Sequence, residues 1–323
     1  MTALTTPVHP ASSSRPALLR RLWATNWPLT LTALAGLALL AATAALALVD
    51  PRVIAGAPAW VKPMKFAIST AVYSLTLVWM LGYVQGRQRL VAAAGTVTAL
   101  GFVIELVLIV LQVGRGVRSH FNFSTPLDGA IFSVMGATIV VVWLMNALAA
   151  GLVLRQKFAD PAFAWSLRLG LLVTLYGAAV AFLMTSPTPV QLQALQAGTA
   201  PAFIGAHSVG VPDGGAGLPF LGWSTTGGDL RIAHFVGLHA LQIVPLLGLL
   251  INRNWAALDA RRRTALVWTG GLGYLGLAIL LTWQALRAQP LLAPDALTLG
   301  ALAALITVVA GAGALIVNAG RRA

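Results

Sequence analysis

Of the 323 residues, 58% are hydrophobic and only 9% charged, and the mean hydropathy is +0.84. A soluble domain carries roughly 25% charged residues, so this chain has too few charges to solvate a globular surface and lipid must cover much of it. The absence of cysteine excludes disulfides, thiolate metal sites, iron–sulfur clusters, attached c-type haem and cysteine nucleophiles.

In lipid every backbone polar group needs an internal partner, which leaves helices or a closed barrel. The apolar runs are near 20 residues long rather than alternating segments of about ten, which selects helices. The sequence predicts an all-α integral membrane protein with about eight transmembrane helices, at 27–49, 65–85, 90–113, 128–153, 166–186, 232–252, 264–286 and 297–318. Residues 1–26 form an N-terminal segment and 27–323 a single transmembrane domain.

The first apolar run follows Arg20 and Arg21 and is too long for a signal-peptide core of about 7–15 residues. With the N-terminus inside, the inner segments hold fourteen basic residues, Arg321 and Arg322 among them, against the two acids Asp160 and Asp259. The outer segments hold Arg52, Lys62, Lys65, Arg115, Arg118, Arg231 and Arg287 against five aspartates. This bias places both termini in the cytoplasm and the chain in the cytoplasmic membrane. The net charge of +13 is thereby mostly a topology signal. Nucleic-acid binding needs a soluble basic face, which is not visible here. Trp23, Trp27, Trp165 and Trp255 fall near the inner boundary and Trp60, Trp223 and Trp283 near the outer one, as interfacial belts do.

The second span carries a polar stripe, Lys65, Ser69, Tyr73 and Thr76, at helical spacing. In the third span Thr98, Gly101, Glu105 and Gln112 share a face. Glu105 lies roughly 12–15 Å below the outer end of its helix, where a carboxylate costs at least about 2.5 kcal/mol and needs a partner. Beyond the fifth span the one long connection, 187–231, holds a short amphipathic stretch (Val190 to Ala197) and then a Gly- and Pro-rich run from His207 to Arg231. Its proline and aromatic content predicts an ordered cap. In the sixth span His239 lies at the depth of Glu105 and is expected to be its partner, with Gln242 on the same face.

Gly101, Gln112 and Arg115 recur 172 residues later as Gly273, Gln284 and Arg287. Lys62, Lys65 and Phe66 rhyme with Arg231, His234 and Phe235, and Pro126 and Asp128 with Pro294 and Asp295. The pattern predicts two parallel four-helix halves, 27–160 and 161–323, related by a pseudo-two-fold along the membrane normal.

Cations on the side where they are disfavoured suggest a cup for an anionic group. The first reading is therefore a protein that binds or transports an anionic small molecule or lipid head group, with a proton taken up in the process. Its ligand residues are Lys62, Lys65, Glu105, Gln112, Arg115, Arg231, His234, His239 and Gln242. A second reading is a membrane redox protein or enzyme with haem b or a metal ion on His120, His207, His234 or His239. His234 and His239 are five residues apart and point about 140° away from each other on a helix, so one ion cannot take both. A third reading is a scaffold subunit whose polar groups only hold helices together. No phosphate loop, catalytic triad or paired-carboxylate motif stands out, so no catalytic residue is assigned.

Overall fold

The computed structural model describes residues 15–319; the first fourteen residues of the N-terminal segment, and Arg321 and Arg322, lie outside the described residues. Eight helices are long and apolar enough to cross a membrane: α2 (Trp27–Val49), α3 (Val61–Leu81), α4 (Gln88–Gly114), α5 (Pro126–Arg155), α6 (Pro161–Met184), α8 (Leu230–Asn254), α9 (Ala260–Leu286) and α10 (Ala296–Ala319). They match the eight predicted spans one for one, with ends displaced by at most five residues. Two shorter helices complete the set, α1 (Arg15–Thr25) and α7 (Pro189–Gln196). The strand content described is two small hairpins, β1 (Val53–Ile54) with β2 (Ala57–Pro58) and β3 (Ser208–Val209) with β4 (Gly228–Asp229).

Short polar side chains set the helix starts by accepting the first free N–H groups. Asn26 accepts from Leu29 N–H, Thr125 from Asp128, Asp160 from Ala162 and Phe163, and Asp229 from Arg231. Pro28, Pro126 and Pro161 follow three of these caps in the first turn, where a missing N–H costs nothing. At α7 the predicted amphipathic turn is a helix with a full capping box between Thr188 and Gln191.

Within 27–160, α2 packs on α3 and α4, α3 on α4, and α4 on α5. Within 161–323 the same order of neighbours holds: α6 packs on α8 and α9, α8 on α9, and α9 on α10. The two sets meet where α5 lies on α6, while α3 and α8 touch sparsely. The tightest approach is between α6 and α8. A Cβ added to Gly177 would come within 2.4 Å of the Gly237 backbone, so glycine is required for the contact.

The rhyming residues make corresponding bonds. Val117 N–H reaches Gln112 C=O at 3.0 Å, and Gln289 N–H reaches Gln284 C=O at 3.2 Å. Between them Gly116 (φ +74°) and Ala288 (φ +57°) take the left-handed conformation that ends a helix in this way. Gln112 Nε2 donates to Arg118 C=O, and Gln284 Nε2 to Pro290 C=O. Arg115 pairs with Asp128 at 2.6 Å, and Arg287 with Asp295 at 2.5 Å. A Cβ on Gly101 would strike Val142 across the α4–α5 contact, and one on Gly273 would strike Val309 across α9–α10.

One end of the bundle is roofed by interlocked connections. Phe123 N–H donates to Ala202 C=O and Ile204 N–H to Phe121 C=O, joining the α4–α5 loop to the long connection. The guanidinium of Arg118 lies 4.7 Å from the ring centre of Phe203. Gly56, at the tip of the first hairpin, packs so closely on Gly214 that a Cβ would meet the Gly214 carbonyl at 2.6 Å. The long connection thus lies over this end of the bundle as a cap.

Candidate functional site

Beneath this cap the structure gathers Lys62 at the start of α3, Glu105 from α4, His120 from the α4–α5 loop, His207 from the long connection and His234 from the first turns of α8. Lys62 exerts its charge on Glu105, His120 and His207, and His207 exerts its own on His120 and His234. Aromatic rings fill the spaces between. His120 lies 5.6 Å from Phe66 and 6.1 Å from Phe132, and Phe121 lies 4.8 Å from His207, all between ring centres.

Each histidine is held by its Nδ1. That of His207 faces Asp213 Oδ2 at 3.0 Å, that of His234 faces the Gly177 carbonyl at 2.8 Å, and that of His120 faces Ser119 Oγ at 3.1 Å. A carbonyl and a carboxylate only accept, so Nδ1 of His234 and His207 donates and Nε2 carries the lone pair in the neutral ring. No Nε2 of the three has a hydrogen-bond partner among the described residues.

Burial keeps His120 well below the ordinary histidine value, helped by the charges of Lys62 and His207. Burial also lowers His207, against the opposing pull of Asp213. For Asp213 burial acts upward. Hydrogen bonds from the His207 ring and from the His207 and Ser208 amides outweigh it and hold the carboxyl below the usual range.

Most of the cations expected to form the cup already have partners. Arg115 is paired with Asp128, which is only 2% exposed and also takes bonds from Gln112 and Thr125; Arg115 bonds Gln112 as well. Arg231 is paired with Asp229 at 2.6 Å and donates to Gly222 C=O. Lys65 donates to the carbonyls of Phe220 and Leu221 in the cap. Arg52 and Arg287 are matched by Asp50 and Asp295. Lys62 differs: its ammonium makes no hydrogen bond among the described residues, lies 5.9 Å from the ring centre of Phe66, and interacts by charge with the Glu105 carboxyl.

Glu105 is 3% exposed, and neither of its oxygens has a hydrogen-bond partner among the described residues. The expected pairing with His239 is not formed. His239 is exposed and bonds Gln242, whose amide reaches Thr76 on α3 at 3.0 Å. The reason lies in the α6–α8 contact. Close packing at Gly237 turns His234 toward α6, and His239, about 140° round the helix, is turned away from the cluster.

Among the described residues no group of three or more His, Asp or Glu side chains is placed to hold a metal ion. The sequence reading missed Asp213 as the anchor of His207, the packing of Phe66, Phe121 and Phe132 around His120, and Asn146, a buried amide on α5 without a partner among the described residues. An asparagine inside an apolar span was the available signal for the last. Compared with protein-family models, curated proteins and solved structures, the chain matches none.

Proposed function

We propose that the protein lies in the cytoplasmic membrane with its capped end facing away from the cytoplasm, and that the cluster beneath the cap binds an anionic small molecule or lipid head group together with a proton, as a transporter or receptor does. The distribution of basic residues supports the orientation. The observation that carries the binding reading is the contrast among the cations. Arg52, Arg115, Arg231 and Arg287 are each matched by an aspartate, whereas Lys62 has no hydrogen-bonded partner beneath the cap.

A second anion beside Lys62 would be repelled by an ionised Glu105, and protonating Glu105 removes that repulsion. Anion and proton therefore bind together, and affinity for the anion rises as the pH falls. The Nε2 atoms of His207 and His234, without hydrogen-bond partners among the described residues, become further donors once protonated.

The test is a native mass spectrum of the detergent-purified protein. The expected result is one anionic species bound to the wild type, absent from Lys62→Gln and retained by Arg287→Gln. A wild-type spectrum free of adducts, or the same adduct on Lys62→Gln, overturns the reading.

A further inference from the structure

Hydroxyl groups on membrane helices ordinarily satisfy themselves by donating to the carbonyl one turn earlier. Thr30, Thr32, Thr76, Ser133, Thr174 and Thr282 all do so here, at 2.7–2.9 Å. Thr98 and Ser74 do not. Thr98 Oγ1, Ser74 Oγ, both polar atoms of the Asn146 amide and both oxygens of Glu105 are buried without a partner among the described residues. The four residues are 0–3% exposed, and all come from α3, α4 and α5. Each such atom destabilises the fold unless water or a ligand reaches it.

Their heights follow from 1.5 Å per residue. Glu105 lies nine residues from the capped end of α4, about 14 Å down, and Thr98 lies roughly two turns deeper on the same face. Asn146 meets that level from α5. Gly101 of α4 touches Val142 of α5, and on antiparallel helices Thr98 and Asn146 each lie about one turn beyond that contact in the same direction. Ser74 stands apart, on the face of α3 whose Ala67 and Ala71 meet Gly36 of α2. The polar atoms of Glu105, Thr98 and Asn146 descend from the capped end into the half of the bundle away from the cap.

Gly270 and Leu277 stand 172 residues after Thr98 and Glu105, and Ile243 stands 169 after Ser74. Where the local packing and helix-end bonds recur, these polar side chains do not.

We propose that Glu105, Thr98 and Asn146 form a hydrated column between α4 and α5 that conducts protons between the cluster beneath the cap and the opposite side of the membrane. Glu105 takes a proton from the cluster and becomes a neutral carboxylic acid, and its carboxylate is restored when it releases that proton to the column. The Thr98 hydroxyl and the Asn146 amide hold the water along which the proton moves. This rests on the reading of Glu105 as the protonated group of the binding site, but not on the identity of the anion.

The experiment uses the full chain in sealed liposomes with a trapped pH-sensitive dye, an imposed pH gradient and a potassium ionophore to balance charge. The wild type should dissipate the gradient at least about tenfold faster than empty liposomes, Glu105→Gln should fall to the empty-liposome rate, and Thr98→Val and Asn146→Leu should each slow the flux severalfold. Leu277→Ala, the counterpart substitution in the other half, should conduct as the wild type does. Wild-type flux equal to that of empty liposomes, or unimpaired flux through Glu105→Gln, overturns the proposal. Native mass spectra of the same samples separate it from anion binding: Thr98→Val should keep any bound anion while losing flux. Proton flux that persists while Lys62→Gln keeps its adduct would remove the anion reading and leave the column standing.

Discussion

Lys62 and Glu105 act on each other by charge across the α3–α4 contact, yet no hydrogen bond joins them. A buried ion pair that served only stability would be closed by hydrogen bonds, as Arg115 and Asp128 are. The open arrangement leaves polar groups unmatched and lowers stability. Replacing Glu105 with leucine, the residue found 172 places later, should therefore raise the stability of the detergent-solubilised protein by about 1–3 kcal/mol while abolishing ligand response. Thermal unfolding followed by tryptophan fluorescence would measure it; destabilisation would show that the carboxyl is structural.

The two Arg–Asp clasps should differ in weight. Asp128 is buried and serves three partners, so Asp128→Ala should cost about 2–4 kcal/mol by leaving Arg115, Gln112 and Thr125 unmatched. Asp295 is 41% exposed, and Asp295→Ala should cost under about 1 kcal/mol. Equal losses in the same unfolding assay would contradict this ranking.

The α6–α8 contact should tolerate no side chain. Gly177→Val places its Cβ inside the backbone of Gly237 and should cost about 3 kcal/mol or more, visible as lost folded yield after solubilisation. Gly300 on α10 has open space at its Cβ, and Gly300→Ala should leave the yield unchanged.

Acid should weaken the cap. His120 and His207 are held below their ordinary histidine values in the folded protein, so as the pH falls the unfolded chain takes up protons first. Stability is then complete above about pH 6.5 and falls below it, by up to about 1.4 kcal/mol per pH unit for each histidine. The Asp213 carboxyl, held low, adds stability that is present above the usual carboxylate range and lost only at much lower pH. The thermal midpoint should decline between pH 7 and pH 5, and His207→Gln should flatten that decline; an unchanged slope would show that His207 titrates normally.

The eight spans were legible because twenty-residue apolar runs have one physical solution in lipid. The caps Asn26, Thr125 and Asp160 were not read from the sequence, although each is followed at once or within two residues by proline. Glu105 was legible as a buried carboxyl, but its neighbour was not. Counting residues along a helix gives depth and not azimuth. Glu105 and His239 share a level, and the Gly177–Gly237 contact, which fixes the rotation of α8, left no trace that hydropathy could detect. Pairing within the cup was not legible for a related reason: Arg231 and Asp229 are two residues apart, and a turn folds the pair onto itself.

Because the backbones of α6 and α8 touch at Gly177 and Gly237, those two helices cannot slide past each other and must travel as one lever. Against that lever α3 is fastened lightly, with Gln242 holding Thr76. On the proposed reading, a rocking motion that exposed Lys62 and Glu105 to one face of the membrane and then the other would pivot along this seam, and the hinge is to be sought there rather than inside either set of four helices.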